Sequence, residues 1–271
     1  MTGSPRPNYL NHIFGVIIAM VSVGYNKLRE SAKSKVNFYK TDKVGYFAAS
    51  MMAGVFVGLC MITILVMAGM LDNFAGVKIL QGISFAAALS LVVFAGAELF
   101  TGNVFVMTAG VALKEIKPKD AIGLCAYCYL GNLAGSILIA ALFLGTGYLQ
   151  GPVLEAAHTA MNAKIYPTFW ELLIRGVLCN VLVCAGVWCM YRLQSESSKL
   201  IMIFWCIYLF VVCGFEHSIA NMTLFSLETM SGVSGNIFGQ MMVNLSAATA
   251  GNIFGGMALS LAYWEIAKKT L

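Results

Sequence analysis

The sequence predicts an all-α membrane protein of six transmembrane helices, built as two inverted three-helix repeats whose second and fifth helices are broken. Three observations carry this. First, the chain of 271 residues is 59% hydrophobic and only 11% charged, whereas an ordinary soluble domain is roughly 25% charged. Soluble enzymes, nucleic-acid binders and disordered chains are thereby excluded. Second, six apolar stretches lie at about 44–70, 79–112, 120–149, 168–192, 199–227 and 234–267. Each supplies the about 20 residues that cross a bilayer core of roughly 30 Å. Third, the second stretch contains GAELFTGN (Gly96 to Asn103) and the fifth GFEHSIAN (Gly214 to Asn221), both G-x-E-x4-N and 118 residues apart. Gly131-Asn132 in the third stretch likewise matches Gly251-Asn252 in the sixth, 120 residues apart. A unit of three spans is odd, so its second copy starts from the opposite side of the membrane.

Residues 1–43 read as a cytoplasmic segment. Tyr9 to Gly24 is apolar but short, carries Asn11 and His12, and is followed by no clean small-x-small cleavage site. It is expected to lie as a helix along the inner leaflet, continued by Lys27 to Lys35 as a basic face. The channel domain then covers 44–271, with repeats at about 44–149 and 168–267. With the N-terminus inside, 14 of the 17 basic residues, Arg6 and Lys269 among them, fall on the cytoplasmic side. Only Lys78, Lys164 and Arg175 lie outside, so the positive-inside rule puts both termini in the cytoplasm.

The second and fifth spans carry the breaks. Glycine costs a helix about 1 kcal/mol relative to alanine, and a mid-membrane glutamate must face protein or water. Glu98 and Glu216 are therefore expected to be structural, as caps or anchors for the broken segments, over a proton-relay role. Half-helices starting at about 97 and 215 would turn their positive dipole ends toward a path at the midplane. Asn103, Asn132, Asn221 and Asn252 recur by the repeat and read as helix-to-helix glue. Asn180, an amide in an otherwise apolar run, needs a partner. The eight cysteines all lie in apolar runs and read as small hydrophobes, not as a disulfide framework or zinc site. His217 is the one histidine inside an expected span. It follows the second break, where the first repeat has Leu99, and a histidine beside a bound anion is suited to giving it a proton.

At these residues the chain resembles the formate/nitrite transporter family, whose members move formate, nitrite or hydrosulfide. The matching segments are GAELFTGN, LCNVLVC (Leu178 to Cys184), GFEHSIANM (Gly214 to Met222) and NLSAATAGNIFGG (Asn244 to Gly256). The last departs from the usual form at Ser246-Ala247-Ala248. The resemblance implies an aquaporin-like protomer with its own pore, assembled as a homopentamer in the inner membrane. It makes His217 the central pore histidine, Thr101 its polar partner and Asn180 a donor near it. It matches Phe85, Leu89, Leu99, Phe100 and Phe210 to the apolar constrictions, and Lys164 to an outer vestibule lysine. Lys33 or Lys35 is the inner counterpart.

The expected function is a channel for small monovalent weak-acid anions, inorganic or carboxylate. Phe100 to Gly102 and Met222 to Phe225 look closer to the nitrite and hydrosulfide members than to the formate ones. A neutral-solute pore of aquaporin type is the alternative, but the chain has neither paired Asn-Pro-Ala boxes nor twin pore histidines. No His cluster, nucleophile with a base, or cofactor motif points to an enzyme.

Overall fold

The computed structural model describes residues 9–71, 74–232 and 237–268, and its elements are all helices. Arg6, Lys269 and the first residues of the expected sixth span lie outside the described residues, as do the side chains at 9–14 and 16–18. The first helix, α1, runs Tyr9–Thr41 and α2 Lys43–Met70. The second stretch divides into α3 (Val77–Phe85), α4 (Ala87–Phe94) and α5 (Phe100–Ala112). Then follow α6 (Pro118–Gly145), α7 (Pro152–Ile165) and α8 (Phe169–Arg192). The fifth stretch divides into α9 (Glu196–Val212) and α10 (Ser218–Met230), and α11 spans Phe238–Ala267. Among the described residues, α2, the α3–α4 run, α6, α8 and α11 are each long and apolar enough to cross a membrane. The protein is a multi-pass membrane protein.

Contacts at the helix ends fix directions. Gly69, near the end of α2, abuts Pro152 at the start of α7. Arg192, ending α8, reaches Met20 of α1, whereas Arg175, near the start of α8, meets Glu216, which is bonded to Lys164 of α7. Asp42 caps α2 where α1 ends. Thus α2 runs from the α1 end of the molecule to the α7 end, and α8 runs the other way.

Both breaks have the same construction. Gly96 and Gly214 take φ of +77° and +68°, and no atom crowds either position. The left-handed backbone itself demands glycine there. Leu99 and His217 follow in extended conformation. The half-helices start at Phe100 and Ser218, three residues later than the sequence suggested, because Glu98 and Glu216 turn their N–H groups out to Ala49 O at 3.1 Å and Arg175 O at 3.3 Å. Close helix pairs position the bracing amides. A Cβ at Gly135 would lie 2.0 Å from Met51 O, and one at Gly251 2.2 Å from Leu173 O. Only glycine lets α6 lie against α2, and α11 against α8, closely enough to bring Asn132 and Asn252 to the breaks.

Two connecting elements pack against the spans. The apolar N-terminal stretch and the basic segment form one helix, α1. Val21, Tyr25, Leu28, Ala32 and Val36 make a buried stripe along it, at the spacing of one helix face. Tyr25 stacks near Trp188 of α8 and donates its hydroxyl to Ser260 O of α11. The outer segment around Lys164 is also a helix, α7, with Val153, Ala157 and Met161 buried on one face. Of its alanines, Ala157 is buried and Ala163 exposed.

Candidate functional site

Each break is closed by an acid, a base and asparagines. In the first, Glu98 takes two bonds from Lys35 Nζ at 2.6 and 2.7 Å. Asn103 Nδ2 donates to the same carboxylate at 2.8 Å and Tyr46 Oη at 3.2 Å. Asn132 braces the backbone. Its Oδ1 accepts Phe100 N–H at 2.9 Å, and its Nδ2 donates to Ser50 O at 2.8 Å and Glu98 O at 2.9 Å.

The second break repeats this. Glu216 accepts from Lys164 Nζ at 3.0 Å and Asn221 Nδ2 at 2.7 Å. Asn244 Oδ1 accepts from Asn221 at 2.8 Å, and its Nδ2 donates to Lys164 O at 2.8 Å. Asn252 Oδ1 accepts Ser218 N–H at 2.9 Å, while its Nδ2 donates to Gly176 O at 2.9 Å and Glu216 O at 2.8 Å. Of the two structural roles expected for the glutamates, cap or anchor, the geometry gives the anchor. Their carboxylates bond side chains, and Asn132 and Asn252 satisfy the first freed amides. An amide can donate and accept at once, which a carboxylate cannot.

The two half-helices meet at His217 and Thr101. His217 Nε2 lies 3.2 Å from Thr101 Oγ1, and both residues are buried. His217 Nδ1 accepts the N–H of Ala220 at 3.2 Å, so the histidine caps its own helix. A proton on Nδ1 would face that N–H, so the ring in this pose is the neutral form with hydrogen on Nε2, donated to Thr101 Oγ1. Asn180 Nδ2 donates to Thr101 O at 3.2 Å and Asn252 O at 2.5 Å, tying α8 to α5 and α11. Its Oδ1 is buried without a protein partner. The N-termini of α5 and α10 converge here, each presenting roughly half a positive elementary charge.

Apolar side chains flank this pair. Phe210 lies face to face with His217 at 5.9 Å and edge-on to Phe85 at 5.8 Å. Leu89 and Leu99 line a cavity of about 370 Å³ on the α1 side, together with Ser31, Lys35, Glu98 and Tyr191. Phe100 does not join them. It packs edge-on to Tyr129 at 4.9 Å and faces the groove between α5, α6 and α11. It begins α5 one residue before Thr101, so its side chain points about 100° away around the helix. Of the two inner lysines, Lys35 lines the cavity. Lys33 instead pairs with Glu115 at 2.8 Å and Glu30 at 3.7 Å, and it holds the Glu115 carboxyl below its ordinary range through that hydrogen bond. The two lysines are two residues apart on α1, so they cannot share a face.

The model of the family described as "Formate/nitrite transporter" matches residues 22–265, a stretch that contains both breaks and the Thr101–His217 pair. The chain belongs to the formate/nitrite transporter family. Among formate/nitrite transporters of known sequence, "Nitrite transporter NirC" of Escherichia coli (strain K12) is 34% identical over 249 residues, 88% of this chain and 90% of that protein. "Formate channel FocA" of Haemophilus influenzae is 34% identical over 149 residues, 54% of this chain and 52% of that one. Among solved structures, an "FNT family ion channel" superposes with a TM-score of 0.84 at 33% identity, over 89% of this chain and 98% of that one. A "Pentameric formate channel with formate bound" gives a TM-score of 0.71 at 28% identity, over 82% and 96%.

Sequence reasoning did not single out Tyr46, Ser31 or Tyr191, which are common polar residues in apolar or basic surroundings with no motif around them. Asn244 was quoted only as the start of a matching segment. Its distance of eight residues from Asn252 puts both on one helix face.

Proposed function

We propose that this protein is a channel for small monovalent anions of weak acids, with nitrite or hydrosulfide favoured and formate possible. The observation that carries the reading is the meeting of two helix N-termini at a buried donor pair, His217 Nε2 and Thr101 Oγ1, 3.2 Å apart. An anion there gains from two converging dipoles and from the imidazole N–H, passed on through the threonine hydroxyl. The orphaned Asn180 Oδ1 offers an acceptor to a protonated acid. In the pose described the imidazole acts as hydrogen-bond donor. Giving up a proton as imidazolium would require breaking the Ala220 cap. Phe85 and Phe210 on one side, and Leu89 and Leu99 on the other, would strip water from the passing ion, which a doubly charged ion tolerates less well.

The opposite directions of α2 and α8 and the matched breaks support six spans in two inverted repeats, with a channel domain at 44–271. The basic residues on the α1 side favour a cytoplasmic α1 with both termini inside, in an inner membrane. Lys35 then takes the inner vestibule and Lys164 the outer. The pentameric relative supports a homopentamer with one pore in each subunit. The first half of the fifth span would be α9, too short among the described helices to cross alone.

The test is uptake into proteoliposomes of nitrite, hydrosulfide and formate against chloride and glycerol, at two pH values. Selective uptake of a weak-acid anion is expected. Glycerol passage without anion flux would overturn the reading in favour of a neutral-solute pore.

A further inference from the structure

The cavity on the α1 side holds polar groups that neither the breaks nor the His217 pair uses. Ser31 of α1 and Tyr191 of α8 face each other there, Oγ to Oη 2.8 Å, and either can be the donor. Two hydroxyls carry two protons, and their mutual bond uses one. The other remains to be donated, and each oxygen keeps a lone pair. Lys35 lines the same space. Its ammonium has three N–H groups, of which Glu98 takes two, leaving the third. Glu98 is saturated by Lys35, Tyr46 and Asn103, so its charge is compensated and its oxygens are occupied. Apart from Asn103, whose amide is bonded to Glu98, the remainder of the lining is apolar, from Leu89 and Leu99 to Val187.

Resting on the channel reading above, we propose that Ser31, Tyr191 and the free N–H of Lys35 form an inner subsite for the permeating species, in which the hydroxyl pair serves both of its protonation states. When the anion is present, the pair donates its spare proton to it. When the conjugate acid is present, one hydroxyl rotates and accepts from it, the internal Ser31–Tyr191 bond reversing direction. A fixed cation could hold only the anion. A switchable hydroxyl pair holds either form at similar cost, which suits a solute that changes protonation along its route. Because Ser31 belongs to α1, the subsite exists only while α1 is seated over the mouth.

The test measures nitrite and formate flux in membrane vesicles of both polarities, comparing wild type with S31A/Y191F. Tyr191→Phe keeps the ring and Ser31→Ala is isosteric apart from the hydroxyl. About a tenfold rise in half-saturating concentration is expected for solute presented on the α1 side, the loss typical of one hydrogen bond to an ion. Half-saturation from the α7 side and the thermal midpoint should stay unchanged, and Ser31→Thr, which keeps a hydroxyl, should behave as wild type. Unchanged half-saturation on the α1 side would overturn the subsite. So would a rise in maximal flux alone, which would make the pair a mere fastening for α1. If wild-type vesicles carry neither anion above chloride, the channel reading itself fails, independently of the pair.

Discussion

The two breaks are built alike and used differently. Glu98 and Asn103 pair as Glu216 and Asn221 do, and Asn132 and Asn252 correspond bond for bond, down to the third partner, Ser50 O in one and Gly176 O in the other. At the tip the likeness stops. Where the first break has Leu99 with no side-chain cap, the second has His217 capping Ala220. Where the second has Ile219, the first has Thr101. The polar pair at the junction therefore takes one residue from each half, and neither half alone could make it. The bases differ in origin too: Lys35 comes from α1 and Lys164 from α7, helices of unlike length on opposite ends. The symmetric part braces the backbone of the breaks, and the asymmetric part supplies the polar pair at the junction.

The likeness is broken most severely at the amides. Asn252→Ala would leave Ser218 N–H, Glu216 O and Gly176 O without this partner, and Asn132→Ala the matching three groups. At about 1–3 kcal/mol for each buried group left unpaired, either variant should lose about 3 kcal/mol or more, read as thermal midpoint in detergent. Near-equal losses are expected, and a large inequality would show that the two braces are not equivalent.

The acids should separate the halves. The Glu216 side chain is 1% exposed and that of Glu98 12%, so the second ion pair is the drier. Glu216→Gln should cost about 3 kcal/mol, as for a buried pair losing a partner. Glu98→Gln should cost about 1 kcal/mol, since water reaches it and Tyr46 and Asn103 still bond it. The same thermal midpoints check this, and the reverse order would refute the assignment of the drier half.

The smallest effect concerns α1 alone. Lys33 lowers the Glu115 pKa, so this contact stabilises the seated helix above the ordinary glutamate range and is lost as pH falls through the depressed value. Glu115 in turn raises the Lys33 pKa, so that contribution is present below the ordinary lysine range and is lost only as pH rises through the raised value. Lys33→Gln should weaken the acid-dependent part of α1 cleavage in limited proteolysis, Arg29 still pairing with Glu115 at 3.1 Å, while changing cleavage less than twofold at neutral pH. An unaltered acid profile would exclude this pair from seating α1.

What the sequence made legible follows from this division. The repeat offsets, the glycines with positive φ and the acids at the breaks are local signals, and they located both breaks to within three residues. Whether Glu98 caps or anchors its break is open in the sequence, because a carboxylate and an amide are equally plausible caps until neighbouring helices bring their partners. Lys33 and Lys35 could not be told apart, since which face of α1 is covered depends on α8 and α11. Phe100 was placed in the path through its likeness to a family position, whereas its direction is set by the start of α5 at the same residue. The alanine-rich stretch before Lys164 gave no charge pattern to separate a loop from the packed helix α7.

The most direct test of the central claim, that the junction of the two halves handles weak-acid anions through His217, whose imidazole takes up a proton when the Ala220 cap opens, is the pH profile of nitrite flux in H217N proteoliposomes. Asparagine keeps a donor beside Thr101 but cannot titrate. Flux that persists at reduced rate with its pH dependence flattened is the expected result. A wild-type pH profile in H217N would contradict the claim and place the titrating step elsewhere.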